Sequence, residues 1–264
     1  MQLDGKTAVL TGASGGIGAA MAQALAAAGV RLLLVGRRAG ALDALATRLG
    51  GQHLPVVADV ATAEGRAAVQ QATAALPGGI DILVNNAGIS TFGPFDTQLP
   101  PAIEDQITTN LVAPMLLTQA LLPALRRAPR GLVVNVGSAF GSIGYPGFTA
   151  YAASKFGLRG FSEALRRELS DGTVGVLYLA PRATATPIND ERVVAMNAAL
   201  GSTTDAPDVV ARALLRQLRD ERPYRAIGGP ERVFARLNAL LPGLIDRAIR
   251  RQLPVIRRFF PPDT

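Results

Sequence analysis

The feature that most limits the fold is an alternation. Short apolar runs occur at TAVLT (7–11), RLLLVG (31–36), VVADV (56–60), DILVNN (81–86), GLVVNVG (131–137), GVLYLA (175–180) and YRAIGG (224–229). Longer Ala/Leu-rich stretches with helical spacing lie between them, at 16–28, 39–49, 62–75, 102–127, 150–170 and 207–220. The short runs are continuously apolar rather than alternating, so each expected strand is buried on both faces. Seven strands separated by helices predict an α/β fold: an open, doubly wound sheet of seven mainly parallel strands with helices on both faces. No linker, repeat or low-complexity segment interrupts the pattern, so one domain over 1–264 is expected.

Composition narrows the chemistry. Apolar residues make up 48% of the 264, enough for an ample core. With no cysteine, disulfides, thiolate metal sites and cysteine nucleophiles are excluded; a reducing, cytoplasmic setting is the expectation. MQLDGK carries no signal-peptide pattern, and no apolar run approaches the roughly 18 residues of a membrane span. The formal charge is +7, and 25 of the 27 cations are arginine. From Arg216 onward, eleven arginines face five acids. A solvated basic face, a membrane surface and nucleic acid all fit such a tail. Nucleic acid ranks last, because no reading motif accompanies the charge.

TGASGGIG, Thr11 to Gly18, follows the first strand and opens a helix. Such a turn holds phosphate because its backbone N–H groups are unsatisfied, the helix dipole favours anions, and glycine allows close approach. The glycines fall at 12, 16 and 18, a G-x-x-x-G-x-G spacing. Second-strand chemistry then bears on which dinucleotide fits. An acid there would hold ribose hydroxyls; here Gly36 is followed by Arg37 and Arg38, with no acid until Asp43. Two guanidiniums suit a 2′-phosphate, which points to NADP(H).

YAASK places Tyr151 and Lys155 four positions apart, on one helical face. A phenol of ordinary pKa, about 10, exchanges protons poorly near neutrality. A nearby ammonium stabilises the phenolate; lowering that pKa by about three units takes on the order of 4 kcal/mol, expected from a close cation together with the cofactor's positive nicotinamide in a dry site.

These motifs have company: Asp59-Val60, NNAG at 85–88, Asn110, and Ser138 just past GLVVNVG. Taken in this order and spacing, the sequence strongly resembles the short-chain dehydrogenase/reductase family, in its single-domain Rossmann-like form. The resemblance implies a 1–190 cofactor and catalytic core and a substrate loop at 182–206; a basic extension at 230–264 lies outside the matched motifs. It implies that Tyr151 exchanges a proton with the substrate oxygen. Lys155 would depress the tyrosine pKa and hold the nicotinamide ribose, Ser138 would hydrogen-bond the reacting oxygen, and Asn110 would hold a water linking Lys155 to solvent. Cofactor contacts would come from Gly12, Ser14, Gly15, Gly16, Ile17, Gly18, Arg37, Arg38, Asp59, Val60, Asn86, Ala87, Gly88, Tyr151, Lys155, Pro181 and Thr186. Hydride transfer needs no metal; the single histidine, His53, is expected to be structural. A homodimer or homotetramer is the expected assembly.

One departure stands out. Where the family carries P-G-x-V-x-T, this chain has Pro181-Arg182-Ala183-Thr184-Ala185-Thr186. Either the loop runs differently or Arg182 reaches a cofactor phosphate or an acidic substrate group. Phe140, Ile143, Tyr145, Phe148, Val193, Val194 and Met196 form a mostly apolar candidate pocket for a small carbonyl or alcohol substrate. Beyond residue 230, apolar residues at helical spacing alternate with arginines, and Pro242 divides the helix. This amphipathic tail fits an anionic bilayer, a cover for the cleft, or another subunit. Two rival functions remain: a non-catalytic NADP-binding sensor or scaffold, and a membrane-peripheral reductase acting on lipids.

Overall fold

The computed structural model describes residues 1–261; the last three residues of the expected tail extension, 262–264, lie outside them. Seven strands form one sheet: β1 (Thr7–Thr11), β2 (Arg31–Gly36), β3 (Leu54–Val57), β4 (Ile82–Asn85), β5 (Gly131–Val136), β6 (Val174–Ala180) and β7 (Tyr224–Ala226). Their order is β3-β2-β1-β4-β5-β6-β7, and every pairing is parallel. The chain winds outward from β1 to β3, then returns to start again on the other side of β1. This reversal opens a crevice beyond the carboxyl ends of β1 and β4, where ligands of such sheets bind.

Continuous apolar runs make both faces of each strand core. Val9 and Leu10 are neighbours in β1, yet they enter opposite clusters, as the two-residue strand period requires. On one face α1 (Gly16–Ala27) and α8 (Pro207–Asp220) cover Leu10, Leu34 and Leu132. On the other, α3 (Ala63–Ala74) and α5 (Ala113–Arg127) cover Val9, Leu83 and Val133. Leu121 of α5 is 1% exposed, so Leu121→Ala is expected to cost about 2–5 kcal/mol.

Several boundaries differ from expectation, each for a local reason. β3 lies at 54–57, not 56–60; Ala58 still bonds to Gly36, but Asp59 turns away to accept from the Ala61 N–H. Pro55 is tolerated because β3 is an edge strand. The helix expected at 102–127 begins at Pro100 as α4 (Pro100–Ile107) and reaches α5 through a wider π-helical turn, Thr108–Val112. This rod is long and apolar enough to cross a bilayer, yet Ala113, Leu117, Leu121 and Leu125 pack it onto the sheet. The stretch 182–206 is not all loop: α7 (Glu191–Ala199) forms where the Asp190 carboxylate caps the Val193 N–H at 2.9 Å. The last strand stops at Ala226, and α9 (Gly229–Leu240) starts with Pro230 in its first turn, where a missing N–H costs nothing. Pro242 does divide the tail, opening α10 (Pro242–Arg257).

A polar row crosses the middle of this oily sheet. Asn85 and Asn135 are paired across β4 and β5. The Asn85 amide donates to Asn135 Oδ1 at 2.8 Å and to Thr118 Oγ1 of α5 at 3.0 Å. The Asn135 amide donates to Ser162 Oγ at 2.8 Å, on the helix α6 (Thr149–Glu168).

Candidate active site

The glycine-rich turn is welded to the NNAG segment across the β1/β4 crevice. Thr11 Oγ1 accepts from the Asn86 and Ala87 N–H groups at 2.9 and 3.0 Å, and the Asn86 amide donates back to Thr11 O at 3.0 Å. Gly12 has φ +64°, and a Cβ there would stand 2.9 Å from the Ala87 Cα. A Cβ on Gly18 would lie 2.0 Å from the Gly12 carbonyl. Both positions therefore demand glycine. Gly15 occupies the N-cap of α1 with no side chain over the helix end, which leaves backbone N–H groups for an anion. Gly16 faces Thr186, whose Cγ2 would be 2.7 Å from an added Cβ.

Arg37 and Arg38 sit at the outer end of this turn. Arg38 donates to the Ser14 carbonyl at 3.2 Å and so ties β2 to the turn. Arg37 is 71% exposed and stands 3.9 Å from Asp59. Val60 is buried beside them, with its carbonyl accepting from Arg66 at 2.9 Å. This cluster is separate from the reactive cleft but lies on the same side of the glycine turn.

At the other end, a narrow cleft of about 130 Å³ is lined by Ser138, Tyr151 and Lys155, together with Ile17, Gly88 and Thr186. Asn86 and Pro181 also border it. Ser138 follows β5, and its Oγ accepts from the Phe140 N–H at 3.1 Å, so its own O–H remains free to donate inward. Tyr151 and Lys155 share one face near the start of α6, with Nζ 5.7 Å from the phenol ring centre. Asn110 lies behind the cleft rather than in its wall. Its amide donates to Ile89 O at 2.9 Å and Ser154 Oγ at 3.0 Å, and its Oδ1 accepts from the Ile89 N–H at 2.9 Å. The π-helical turn directs this side chain inward. Gly88 separates Asn110 from Lys155: an added Cβ would be 3.1 Å from Asn110 Oδ1 and 3.5 Å from Nζ.

Electrostatics bear on one expectation. Burial pushes the Tyr151 phenol above its ordinary pKa; the Ser138 hydroxyl opposes this by hydrogen bonding but does not reverse it. In the chain by itself the phenol is therefore not acidic; the expected lowering involves a bound, positively charged nicotinamide as well as Lys155. Burial also lowers Lys155, to about 8, and among the described residues no carboxylate pairs with it. Nζ donates to Val136 O at 3.1 Å. With three N–H donors, it can still bind ligand hydroxyls, and the bare Cα of Gly88 keeps that approach open.

Arg182 is also placed differently from expectation. It lines the cleft, but its guanidinium grips Asp205 through two bonds of 2.8 and 2.7 Å and stands 3.5 Å from Glu231 of α9. Hydrogen bonding to Asp205 holds its pKa above the usual arginine value. The turn accepts arginine because Arg182 does not adopt a positive φ. Arg182 thus fastens the start of the 182–206 segment to its end and to α9.

The apolar wall contains both expected and unforeseen residues. Phe140, Phe148 and Val193 line the cleft, and Met196 is buried beneath them. Val194 points outward, 58% exposed. Phe92, Ile256 and Phe260 complete the aromatic cluster; the Phe92 ring lies 5.0 Å from Phe148 and 5.5 Å from Phe260. Tyr145 donates to Gln252 of α10 at 2.9 Å. The tail therefore packs on its own chain. Phe92 carries no periodic signal, although it sits just beyond NNAG; only the aromatic pair at 259–260 hinted at the tail's role. His53 is structural as expected, its Nδ1 accepting from the Leu32 N–H at 3.2 Å.

Comparison with known proteins agrees with this arrangement. A family model described as short chain dehydrogenase matches residues 6–197. The 3-oxoacyl-[acyl-carrier-protein] reductase of Bos taurus is 35% identical over 222 residues, 83% of this chain and 92% of that protein. A short-chain dehydrogenase from Sphingobium yanoikuyae, solved in complex with NADPH, superposes with TM-score 0.76 at 31% identity, covering 91% of this chain and 95% of the other. One from Burkholderia phymatum, in complex with NAD, gives TM-score 0.82 at 24% identity, covering 92% and 96%.

Proposed function

Because this chain belongs to the short-chain dehydrogenase family, we propose that it is an NADP(H)-dependent oxidoreductase interconverting an apolar, lipid-like carbonyl compound and its alcohol. One observation carries the reading: Ser138, Tyr151 and Lys155 converge on a single cleft that also receives Ile17 and Thr186 from the phosphate-binding end. A nicotinamide cofactor fits these residues, since the glycine turn leaves a backbone cradle and Lys155 retains free donors.

Gly12, Ser14, Gly15, Gly16 and Gly18 would hold the pyrophosphate, and Asp59 and Val60 would border the adenine. Arg37 and Arg38 would receive the 2′-phosphate, while Asn86, Ala87, Gly88, Pro181 and Thr186 would position the nicotinamide half. When bound, the nicotinamide would supply hydride in one direction and accept it in the other. In reduction, Tyr151 would give its phenolic proton to the carbonyl oxygen. Ser138 donates a hydrogen bond to the same oxygen and steadies its growing negative charge. Lys155 would stabilise the phenolate left behind and return a proton to it, with Asn110 holding the water that links Lys155 to solvent. Phe140, Phe148 and Val193 exclude solvent and favour an apolar substituent.

The test is an absorbance assay of NADPH and NADH with aliphatic and aromatic ketones. NADPH is expected to be used at least about tenfold more efficiently, matching one charge-assisted contact. Tyr151→Phe is expected to lower kcat by about 10²–10⁴-fold with cofactor affinity retained. Equal use of both cofactors sinks the NADP(H) assignment, and full turnover by Tyr151→Phe sinks the mechanism.

We also infer self-association through an apolar patch on α5 and α6. Met115, Leu116 and Phe156 there are 40%, 38% and 42% exposed, a patch suited to a second copy. Light scattering of Met115→Glu/Phe156→Glu should report a lower mass than the parent.

A further inference from the structure

The hairpin of α9 and α10 projects a surface that the catalytic reading does not use. Its turn is Leu240-Leu241-Pro242-Gly243-Leu244, and those three leucines are 77%, 56% and 53% exposed. Val233 and Phe234, one to two turns back on α9, are 55% and 44% exposed. Five large apolar side chains thus face water near one tip. The inner side of α10 is different: Ile245 and Ile256 are buried. The packing of this helix is therefore satisfied from within, and its exposed leucines are surplus to it.

Charge on the hairpin is predominantly positive. Between Gly229 and Arg258 there are seven arginines and two acids, Glu231 and Asp246, a net of +5. Of the two acids, Glu231 stands 3.5 Å from Arg182. Arg236, Arg247, Arg250 and Arg251 are exposed on the same hairpin.

We propose that this hairpin docks the protein on an anionic lipid bilayer, with Leu240, Leu241 and Leu244 entering the acyl boundary and the arginines meeting headgroup phosphates. Two features favour this occupant. An apolar tip rimmed by cations, in the manner of interfacial helices, matches the layering of an anionic membrane surface. A second copy of the chain does not match it, because a two-fold contact would set the same arginines against themselves. Docking does not depend on which carbonyl compound is reduced or on which cofactor serves.

The experiment is co-sedimentation of the full chain with phosphatidylcholine vesicles, alone or with one-third phosphatidylglycerol. Three proteins are compared: the parent, Leu240→Asp/Leu241→Asp/Leu244→Asp, and Arg247→Gln/Arg250→Gln/Arg251→Gln. The parent is expected to pellet with anionic vesicles and much less with neutral ones, and to be released by about 1 M salt, where charges are screened within about 3 Å. Either triple variant should lose at least about tenfold in partitioning. Because the substituted leucines are exposed, both variants should keep the parent's circular dichroism melting curve. A parent that stays in the supernatant overturns the proposal, as does equal binding to both vesicle types or no loss in the variants. A change in molar mass by light scattering for the leucine variant also overturns it, since the tip would then join copies of the chain.

Discussion

Two cations line the same cleft, and the protein treats them in opposite ways. Lys155 is buried with a backbone carbonyl as its polar contact and no carboxylate, and burial lowers its pKa to about 8. Arg182 is held by two carboxylates, Asp205 and Glu231, and its pKa is raised. A cation without a counter-charge is costly to the fold and available to a ligand. A cation with two is neither. The difference separates a cation left open to a ligand from one used as a fastener, though both border one cavity.

The sharpest break in that comparison is Lys155→Met. Turnover is expected to fall by about 10²–10⁴-fold in a ketone-reduction assay, while the melting temperature holds or rises, because an uncompensated charge has been removed. A melting temperature that collapses would show that Lys155 is structural after all. Arg182→Met should do the reverse. It strands Asp205, and the expected loss is about 2–4 kcal/mol of stability, roughly 4–12 °C, read by calorimetry. Adding Asp205→Asn should recover part of that loss. A smaller effect follows from pH. Below about pH 8, Lys155 is charged in both folded and unfolded chains, so its burial penalty is felt in full. Between about pH 8 and 10.5 the unfolded chain binds more protons, so stability should rise with pH, by up to about 3 kcal/mol, and Lys155→Met should flatten that rise. Above pH 10 the raised pKa of buried Tyr151 works the other way. Denaturation midpoints at pH 7.5 and 9.5 would separate the two groups. The gentlest test is Arg37→Ala, expected to weaken NADPH binding by about tenfold and leave NADH unchanged.

How far the sequence reveals these features differs between the two cations. Tyr151, Lys155, Ser138 and the glycine turn belong to motifs whose chemistry dictates their spacing, and the structure brings the first three together with Ile17 and Thr186. Strands β1 and β2 fall where their apolar runs lie, because a buried parallel strand must be apolar throughout. Arg182 has no such signature. Its partners are 23 and 49 positions downstream, and only the folded loop brings them within reach. Helix α7 was hidden for a related reason: its start depends on Asp190, one polar residue in a polar stretch. The Tyr151 phenol shows a different limit. Helical spacing reveals that a cation is near, but not that burial outweighs it.

The amide row through β4 and β5 has a consequence for how the sheet assembles. Each of its bonds exists in one alignment of the two central strands. Sliding either strand by a single position would turn Asn85 or Asn135 toward hydrocarbon on the opposite side, with nothing to accept its hydrogens. Neighbouring valines and leucines are nearly interchangeable and would tolerate such an error. The asparagines would not, so they act as an alignment key cut into an otherwise uniform surface.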